Sequence, residues 1–140
     1  MTKSYKILSI EDNEPDFILL KNALKKISNI NFEIKNIQNG NDAINFLYNK
    51  DTDLPDLILL DLNIPQIDGQ ELLSIVKNND TLQSIPIIIV TTSDNIEIIK
   101  STYKNHANAY IIKSFDINKL FEKIKNLSDF WFKSVEIPNN

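Results

Sequence analysis

The sequence predicts an α/β fold in which a doubly wound parallel sheet carries helices on both of its faces. Two observations indicate this class. Short apolar runs alternate five times with segments whose apolar residues recur at helical spacing, which is the pattern of successive strand–helix–strand crossovers. One run, Leu57–Leu60, has four consecutive apolar residues, as is typical of a parallel strand buried on both faces. The length of 140 residues, 42% of them hydrophobic, fits one domain with a substantial core.

The first two strands and helices are predicted within residues 5–47. The first strand covers Tyr5–Ile10, and Pro15 marks the first turn of the following helix, a position that proline suits. The second strand is more polar, as an edge strand would be, and the second helix follows Gly40. The apolar residues of the first helix are Phe17, Leu20, Leu24 and Ile27. Those of the second strand are Phe32, Ile34 and Ile37, and those of the second helix are Ala43, Ile44 and Leu47.

The third strand ends at Asp61, and two further strands are predicted at Ile85–Val90 and Ala109–Ile112. Asp68 and Asp94 are each followed three residues later by Glu, a pattern that predicts the capped starts of the third and fourth helices. The apolar stripes of the last three helices are Leu72, Ile75 and Val76, then Ile96, Ile99 and Tyr103, then Ile117, Leu120, Phe121, Ile124, Leu127 and Trp131.

Composition and chain organisation exclude several classes of protein. Residues 1–130 are predicted to form one domain, and residues 131–140 a short aromatic C-terminal tail that either packs on the domain or forms a homodimer interface. A net charge of −4 without a clustered basic face argues against nucleic-acid binding. The chain has no Cys, no signal-peptide pattern and no run of about 18–20 apolar residues, so we expect a cytoplasmic protein without a membrane segment.

Chemically useful side chains stand where four of the five predicted strands end. Glu11 and Asp12 follow the first strand, Asp61 the third, Thr91 the fourth and Lys113 the fifth. The carboxyl ends of parallel strands meet at one edge of the sheet, where open α/β sheets bind their ligands. Crowded carboxylates repel unless a hard cation such as Mg²⁺ joins them, and an Asp, a hydroxyl and an ammonium around it suit phosphoryl transfer to the Asp.

Each of these residues also has a plain structural interpretation. Asp12 alone would serve as a helix cap, Thr91 as a helix-start hydroxyl, and Lys113 as a solvated loop residue. Asp61 alone would serve as a hydrogen-bond acceptor. The joint placement of the set at correctly ordered strand ends favours the functional interpretation over these separate ones.

The sequence resembles the receiver domains of two-component response regulators, of which the chemotaxis response regulator is one type. The resemblance is carried by residues 7–12 (ILSIED), 55–65 (PDLILLDLNIP), 68–69 (DG), 86–91 (PIIIVT) and 110–113 (YIIK). It implies a flavodoxin-like receiver fold with strand order 2-1-3-4-5. It also implies that Asp61 is the phosphoacceptor. The Mg²⁺ ligands would be Asp12, Asp61 and the Asn63 carbonyl, with Glu11 acting through a water. The phosphoryl oxygens would be contacted by Thr91 and Lys113, and the switch pair would be Thr91 and Tyr110.

Three positions depart from the commonest pattern of that family. Glu11 replaces the more usual Asp, Thr92 stands where a small Ala is frequent, and Ser114 follows Lys113 where the family usually has Pro, often after a cis peptide. Because a cis bond before a residue other than Pro costs about 3 kcal/mol, we expect the Lys113–Ser114 bond to be trans.

The resemblance predicts a single-domain response regulator that is not a turnover enzyme. A sensor histidine kinase or phosphotransfer protein would phosphorylate Asp61, and signalling would pass through protein contact. The tail resembles that of small regulators that work with phytochrome-type kinases and form dimers. Two alternatives stay open: a receiver-like interaction module that is never phosphorylated, and a haloacid-dehalogenase-type phosphohydrolase, although Asn63 stands where that family needs a second Asp.

Overall fold

A computed structural model describes residues 3–138 and confirms the predicted fold class. Five parallel strands form one sheet in the order 2-1-3-4-5. Residues 1–2 of the predicted domain and 139–140 of the predicted tail lie outside the described part of the chain. The elements are β1 (Lys3–Ile10), α1 (Glu14–Lys25), β2 (Ile30–Ile37), α2 (Gly40–Tyr48), β3 (Leu57–Leu60), α3 (Gly69–Lys77), β4 (Ile87–Thr91), α4 (Ile96–Lys104), β5 (Ala109–Ile112), α5 (Ile117–Ser128) and a π-helical segment (Asp129–Ser134).

The sheet divides the core into two apolar layers. Successive residues of β3 point to opposite faces, so Ile58 and Leu60 belong to one layer and Leu57 and Leu59 to the other. Helices α2 and α3 cover the first layer, and α1 and α5 cover the second. All residues of β3 and β4 are buried, whereas β2 alternates between half-buried and exposed positions, as expected of an edge strand.

Several predicted boundaries were wrong. Strand β1 begins at Lys3 rather than Tyr5. Strand β4 begins at Ile87 rather than Ile85, because the Ile85 amide closes a turn onto the Leu82 carbonyl. Asn95, and not Asp94, caps α4: its side-chain oxygen accepts the Glu97 amide at 2.9 Å. Finally, α5 ends at Ser128, so the last predicted position of its stripe lies in the π-helical segment.

Helix α4 joins the domain through polar contacts and through the half-buried side chain of Ile98, which packs on the first core layer. Thr102 is its one buried residue. The Gln70 side chain of α3 donates to the Thr102 hydroxyl at 2.7 Å and to Ser101 at 3.0 Å, and it accepts from Asn105 at 3.1 Å. A hydrogen-bond network thus joins α4 to α3, beside the apolar contact that Ile98 makes with the core.

The start of the aromatic tail packs on the domain, as one of the two predicted alternatives requires. Phe132 is buried, and its ring centroid lies 4.6 Å from that of Tyr5 and 5.0 Å from that of Phe32. Phe130 is 53% exposed and meets Trp131 edge-on at 5.7 Å. Phe132 of the tail thus joins the core, whereas Phe130, just before the tail, faces solvent. Within residues 3–138, none of the helices has the length and apolar character needed to span a bilayer.

Candidate functional site

The sheet brings four of the predicted strand-end positions together. The Asp61 amide donates to the Ile10 carbonyl at 3.0 Å, which extends the pairing of β1 and β3 by one residue. Between the neighbouring strands β4 and β5, the backbone amide of Lys113 donates to the Thr91 carbonyl at 2.7 Å. These backbone bonds place the side chains that follow β1, β3, β4 and β5 on the same edge.

Asp61 is buried, and both of its carboxylate oxygens are hydrogen-bonded. Its Oδ1 accepts from the Thr91 hydroxyl at 3.1 Å and from the Asn63 amide at 2.9 Å. Its Oδ2 accepts from the Lys113 ammonium at 2.7 Å. A charged group left unpaired in such a position would be costly, and these three donors remove that cost.

Lys113 contacts three carboxylates at once. Besides Asp61, its Nζ donates to Glu11 and, at 2.8 Å, to Asp16. Asp16 is absent from the set predicted from the sequence. The signal that could have found it is its position in the first turn of the helix that follows the acidic end of β1. The arrangement holds three negative charges around one positive charge when all groups are ionised.

The environment shifts the pKa values of these groups in different directions. Burial raises the pKa of Glu11 to about 7, although Lys113 opposes this shift. Burial acts on Asp61 in the same sense, but bonds from Lys113 and the Asn63 amide outweigh it, so the pKa of Asp61 is lowered. The pKa of Lys113 is raised, because its carboxylate partners more than offset its burial. The low pKa of Asp61 keeps this carboxylate ionised at neutral pH, whereas Glu11 takes up a proton more readily than an ordinary Glu does.

The remaining predicted site residues have different surroundings. Asp12 and Asn63 are exposed at the rim of the site, and the Asp12 carboxylate has no hydrogen bond or ion pair with another residue in 3–138. Thr91 is fully buried. The hydroxyl of the half-buried Tyr110 donates to the Ser93 carbonyl at 2.9 Å, and burial raises its pKa. Across residues 3–138 no three acidic, His or Cys side chains form a ready-made metal cluster.

Gly69 fixes the loop that follows Asp61. Its amide donates to the Leu62 carbonyl at 3.1 Å. A Cβ at this position would lie 2.5 Å from the Leu62 Cα and 3.0 Å from the Asp61 carbonyl oxygen, so any larger residue would push the loop away. The start of α3 thus holds the backbone next to Asp61.

The Lys113–Ser114 peptide bond is trans, as the sequence predicted, and the described residues contain no cis peptide bond. Beyond this bond the chain opens to solvent at Phe115, which is 98% exposed. The loop after Lys113 is open to solvent and does not hold the side chain. The Lys113 ammonium is fixed instead by its bonds to three carboxylates.

The fold and the site together define a class: flavodoxin-like α/β domains with an Asp, Thr and Lys at the carboxyl edge of the sheet. The family model for the response regulator receiver domain matches residues 7–125, and the chain belongs to this family. It is 36% identical over 136 residues to response regulator Rcp1 of Synechocystis sp., spanning 94% of this chain and 92% of Rcp1.

Two solved structures share nearly the whole fold. The Mn²⁺-bound form of Rcp1 superposes with a TM-score of 0.89 at 35% identity, covering 96% of this chain and 99% of that one. The phosphorylated cyanobacterial phytochrome response regulator RcpA superposes with a TM-score of 0.91 at 34% identity, covering 97% of this chain and 99% of that one. The chain is thus a two-component receiver domain whose relatives include phytochrome-associated regulators.

The raised pKa of Glu11 leads to a prediction about stability. Between pH 4.5, its ordinary pKa, and pH 7 the folded protein binds more protons at this group than the unfolded chain does. The free energy of unfolding should therefore fall as the pH rises through this window, and Glu11→Gln should remove about 1–3 kcal/mol of that fall. Urea unfolding in EDTA at several pH values measures the effect. The exposed Glu14→Gln should keep the wild-type slope, and an unchanged slope in Glu11→Gln would contradict the assignment.

Proposed function

We propose that the chain is a single-domain response regulator whose Asp61 accepts a phosphoryl group from a histidine kinase or a phosphotransfer protein. The observation that carries this proposal is the state of Asp61: it is buried yet ionised, and it is bonded to a hydroxyl and an ammonium at the edge of the sheet. In the transfer an Asp61 oxygen bonds to phosphorus, the bond from phosphorus to the donor imidazole breaks, and an acyl phosphate results. The imidazole leaves with the electron pair of the broken bond.

The neighbouring residues have distinct tasks in this proposal. Lys113, already 2.7 Å from Asp61, neutralises charge on the transferred oxygens, and the Thr91 hydroxyl donates to one of them. Thr91 would move toward the phosphoryl group in this step, and we propose that Tyr110 follows this movement. The Tyr110 hydroxyl donates to the Ser93 carbonyl, a bond that tethers the loop before α4. Phosphorylation would shift a two-state equilibrium of this region, which a partner protein then reads.

The donor set fits a hard divalent cation, for which we propose Mg²⁺. The site offers carboxylate and carbonyl oxygens without soft ligands, and its three carboxylates outnumber its one ammonium. Asp12, Asp61 and the Asn63 carbonyl would hold the ion, with Glu11 acting through a water. When bound, it would neutralise charge on the phosphoryl oxygens. The Mn²⁺-bound form of the relative Rcp1 supports this choice.

We further propose that the chain acts in the cytoplasm, as a switch rather than as a turnover enzyme, and that it hydrolyses its own acyl phosphate. Membership in the receiver family supports the switch role. Its similarity to RcpA supports a phytochrome-type kinase as the phosphodonor.

Intact mass measurement after incubation with a small acyl phosphate and Mg²⁺ tests the proposal. The wild type should gain the mass of one phosphoryl group, and Asp61→Asn should gain none, because an amide cannot act as the acceptor. Asp94→Asn, which removes an exposed carboxylate of the β4–α4 loop, should behave like the wild type. Absence of the adduct in wild type would favour the interaction module, and steady turnover of phosphate esters would favour the phosphohydrolase.

Exposed apolar residues beside the site provide a surface for the kinase. Ile18 on α1, Phe115 in the β5–α5 loop and Ile117 at the start of α5 are all exposed, and Phe115 is almost fully so. The Asp16–Lys113 ion pair joins the two elements that carry them. Exposed apolar residues grouped around a charged centre are typical of a protein-docking surface.

This surface predicts a separation between protein and small-molecule phosphodonors. Phe115→Ala should slow transfer from an autophosphorylated phytochrome-type histidine kinase about tenfold, because we place Phe115 among the minority of interface residues whose truncation costs more than about 1 kcal/mol. The rate with a small acyl phosphate should not change. Tyr48→Ala, on the distant helix α2, provides a matched control of similar chemistry. Equal slowing with both donors would show that Phe115 acts on the site itself rather than on docking.

A second copy of the chain is a further proposed partner, bound through the outer side of the tail. A groove of about 480 Å³ lies along the edge strand β5, and α5, Phe130 and Trp131 line its other side. Phe130 is 53% exposed, and Trp131 is half-buried. An unpaired strand edge beside an exposed aromatic suits a symmetric contact between identical surfaces.

Phe130, just before the tail, and Phe132, within it, should then respond differently to substitution. Phe130→Ala should convert a dimer to a monomer, as measured by mass in solution, with little change in the free energy of unfolding. Phe132→Ala should lower that free energy by about 2–4 kcal/mol, because it removes a buried ring from the contacts with Tyr5 and Phe32. A wild-type protein that stays monomeric at high concentration would rule out the dimer.

A further inference from the structure

Asp16 is the one partner of Lys113 that the proposed phosphoryl transfer leaves unchanged. The Asp61 oxygens change their bonding when the acyl phosphate forms, and Glu11 belongs to the proposed metal site. Asp16 has neither task. Its carboxylate comes from α1, across the mouth of the site from β3, and its Oδ2 lies 2.8 Å from the Lys113 Nζ.

The surroundings of Lys113 explain why its ion pair with Asp16 matters for the position of the side chain. The Lys113 side chain is 12% exposed, although the trans-linked loop that follows it opens directly to solvent at Phe115. A long lysine side chain loses much rotational freedom when its end is fixed, so something must hold it. Within residues 3–138 the polar partners of its ammonium are three carboxylates, and of these Asp16 alone comes from a helix.

We infer that Asp16 is a positioning residue that holds the Lys113 ammonium at the end of β3 while Asp61 is being phosphorylated. This inference rests on the proposed function. Asp16 does not contact the reacting atoms. It ties Lys113 to α1, so that the ammonium stays beside the phosphoryl oxygens when its bond to the Asp61 carboxylate is lost.

Removing Asp16 has two separable effects. Loss of a negative charge makes the site more attractive to an anionic phosphodonor, so the half-saturating donor concentration should fall or stay the same. Loss of the tether leaves Lys113 poorly oriented, which lowers the rate at saturation. A role limited to charge would change only the half-saturating donor concentration, whereas a positioning role must lower the rate at saturation when it is lost.

The test measures phosphorylation rates with a small acyl phosphate at saturating Mg²⁺. Asp16→Asn should lower the plateau rate about tenfold without raising the half-saturating concentration. Asp16→Glu, which keeps the carboxylate, should recover most of the rate. Glu14→Gln removes the same charge from the same turn of α1, without a contact to Lys113, and should keep the wild-type plateau. A wild-type plateau in Asp16→Asn would overturn the inference.

A second measurement does not depend on phosphorylation. In protein labelled with ¹⁵N-lysine, the Lys113 ammonium should give a protected signal, assigned by its loss in Lys113→Arg. Asp16→Asn should shift or broaden this signal, and Glu14→Gln should not; an unchanged signal in Asp16→Asn would again overturn the inference. If the wild type forms no acyl phosphate, the proposed function fails, while the ammonium signal still decides whether Asp16 holds Lys113.

Discussion

The organisation of the site depends on one cation, the Lys113 ammonium, which binds carboxylates from three other elements. Through Glu11, Asp16 and Asp61 it links the ends of β1 and β3 and the first turn of α1 to the end of β5. Breaking a buried ion pair by removing one partner typically costs about 3–5 kcal/mol, because the other charge stays behind without compensation. The positive charge of this lysine therefore offsets the repulsion among the acidic residues that the sheet brings to one edge. The same bonds help to keep the buried Asp61 carboxylate ionised.

Most of this arrangement could be predicted from the sequence, because a parallel sheet converts order along the chain into position in space. Once the apolar runs define the strands, the residue after each run must lie at one common edge. Asp61, Thr91 and Lys113 follow directly from that rule, although they are separated by up to 52 residues along the chain. The buried run before Asp61 also implied that this carboxylate needs partners, and three hydrogen-bond donors meet that need. Strand order came from the family resemblance, with support from the polar character of β2.

The features that the sequence did not predict depend on how helices and loops are oriented in space, not on the order of the elements along the chain. Asp16 reaches Lys113 only because α1 packs on the sheet at a particular angle, and the sequence pattern does not contain that angle. The same limit explains the cap of α4: Asp94 and Asn95 both suit the role, and the path of the loop selects Asn95. The packing of the tail was harder still to predict from the sequence. Its aromatic spacing continues the stripe of α5, yet the π-helical turn at Asp129 rotates Phe132 inward to meet Tyr5.

The polar attachment of α4 has a consequence for the mechanics of the domain. When an apolar helix moves, it exposes surface and leaves a void, and both raise the energy steeply. The Gln70 network carries less of this penalty, since water can replace its bonds to Thr102 and Ser101 one at a time. The half-buried Ile98 is the apolar side chain by which α4 packs on the core. A displacement of α4 would therefore cost mainly the packing of this one side chain, so the resistance of the helix to movement is concentrated at a single point.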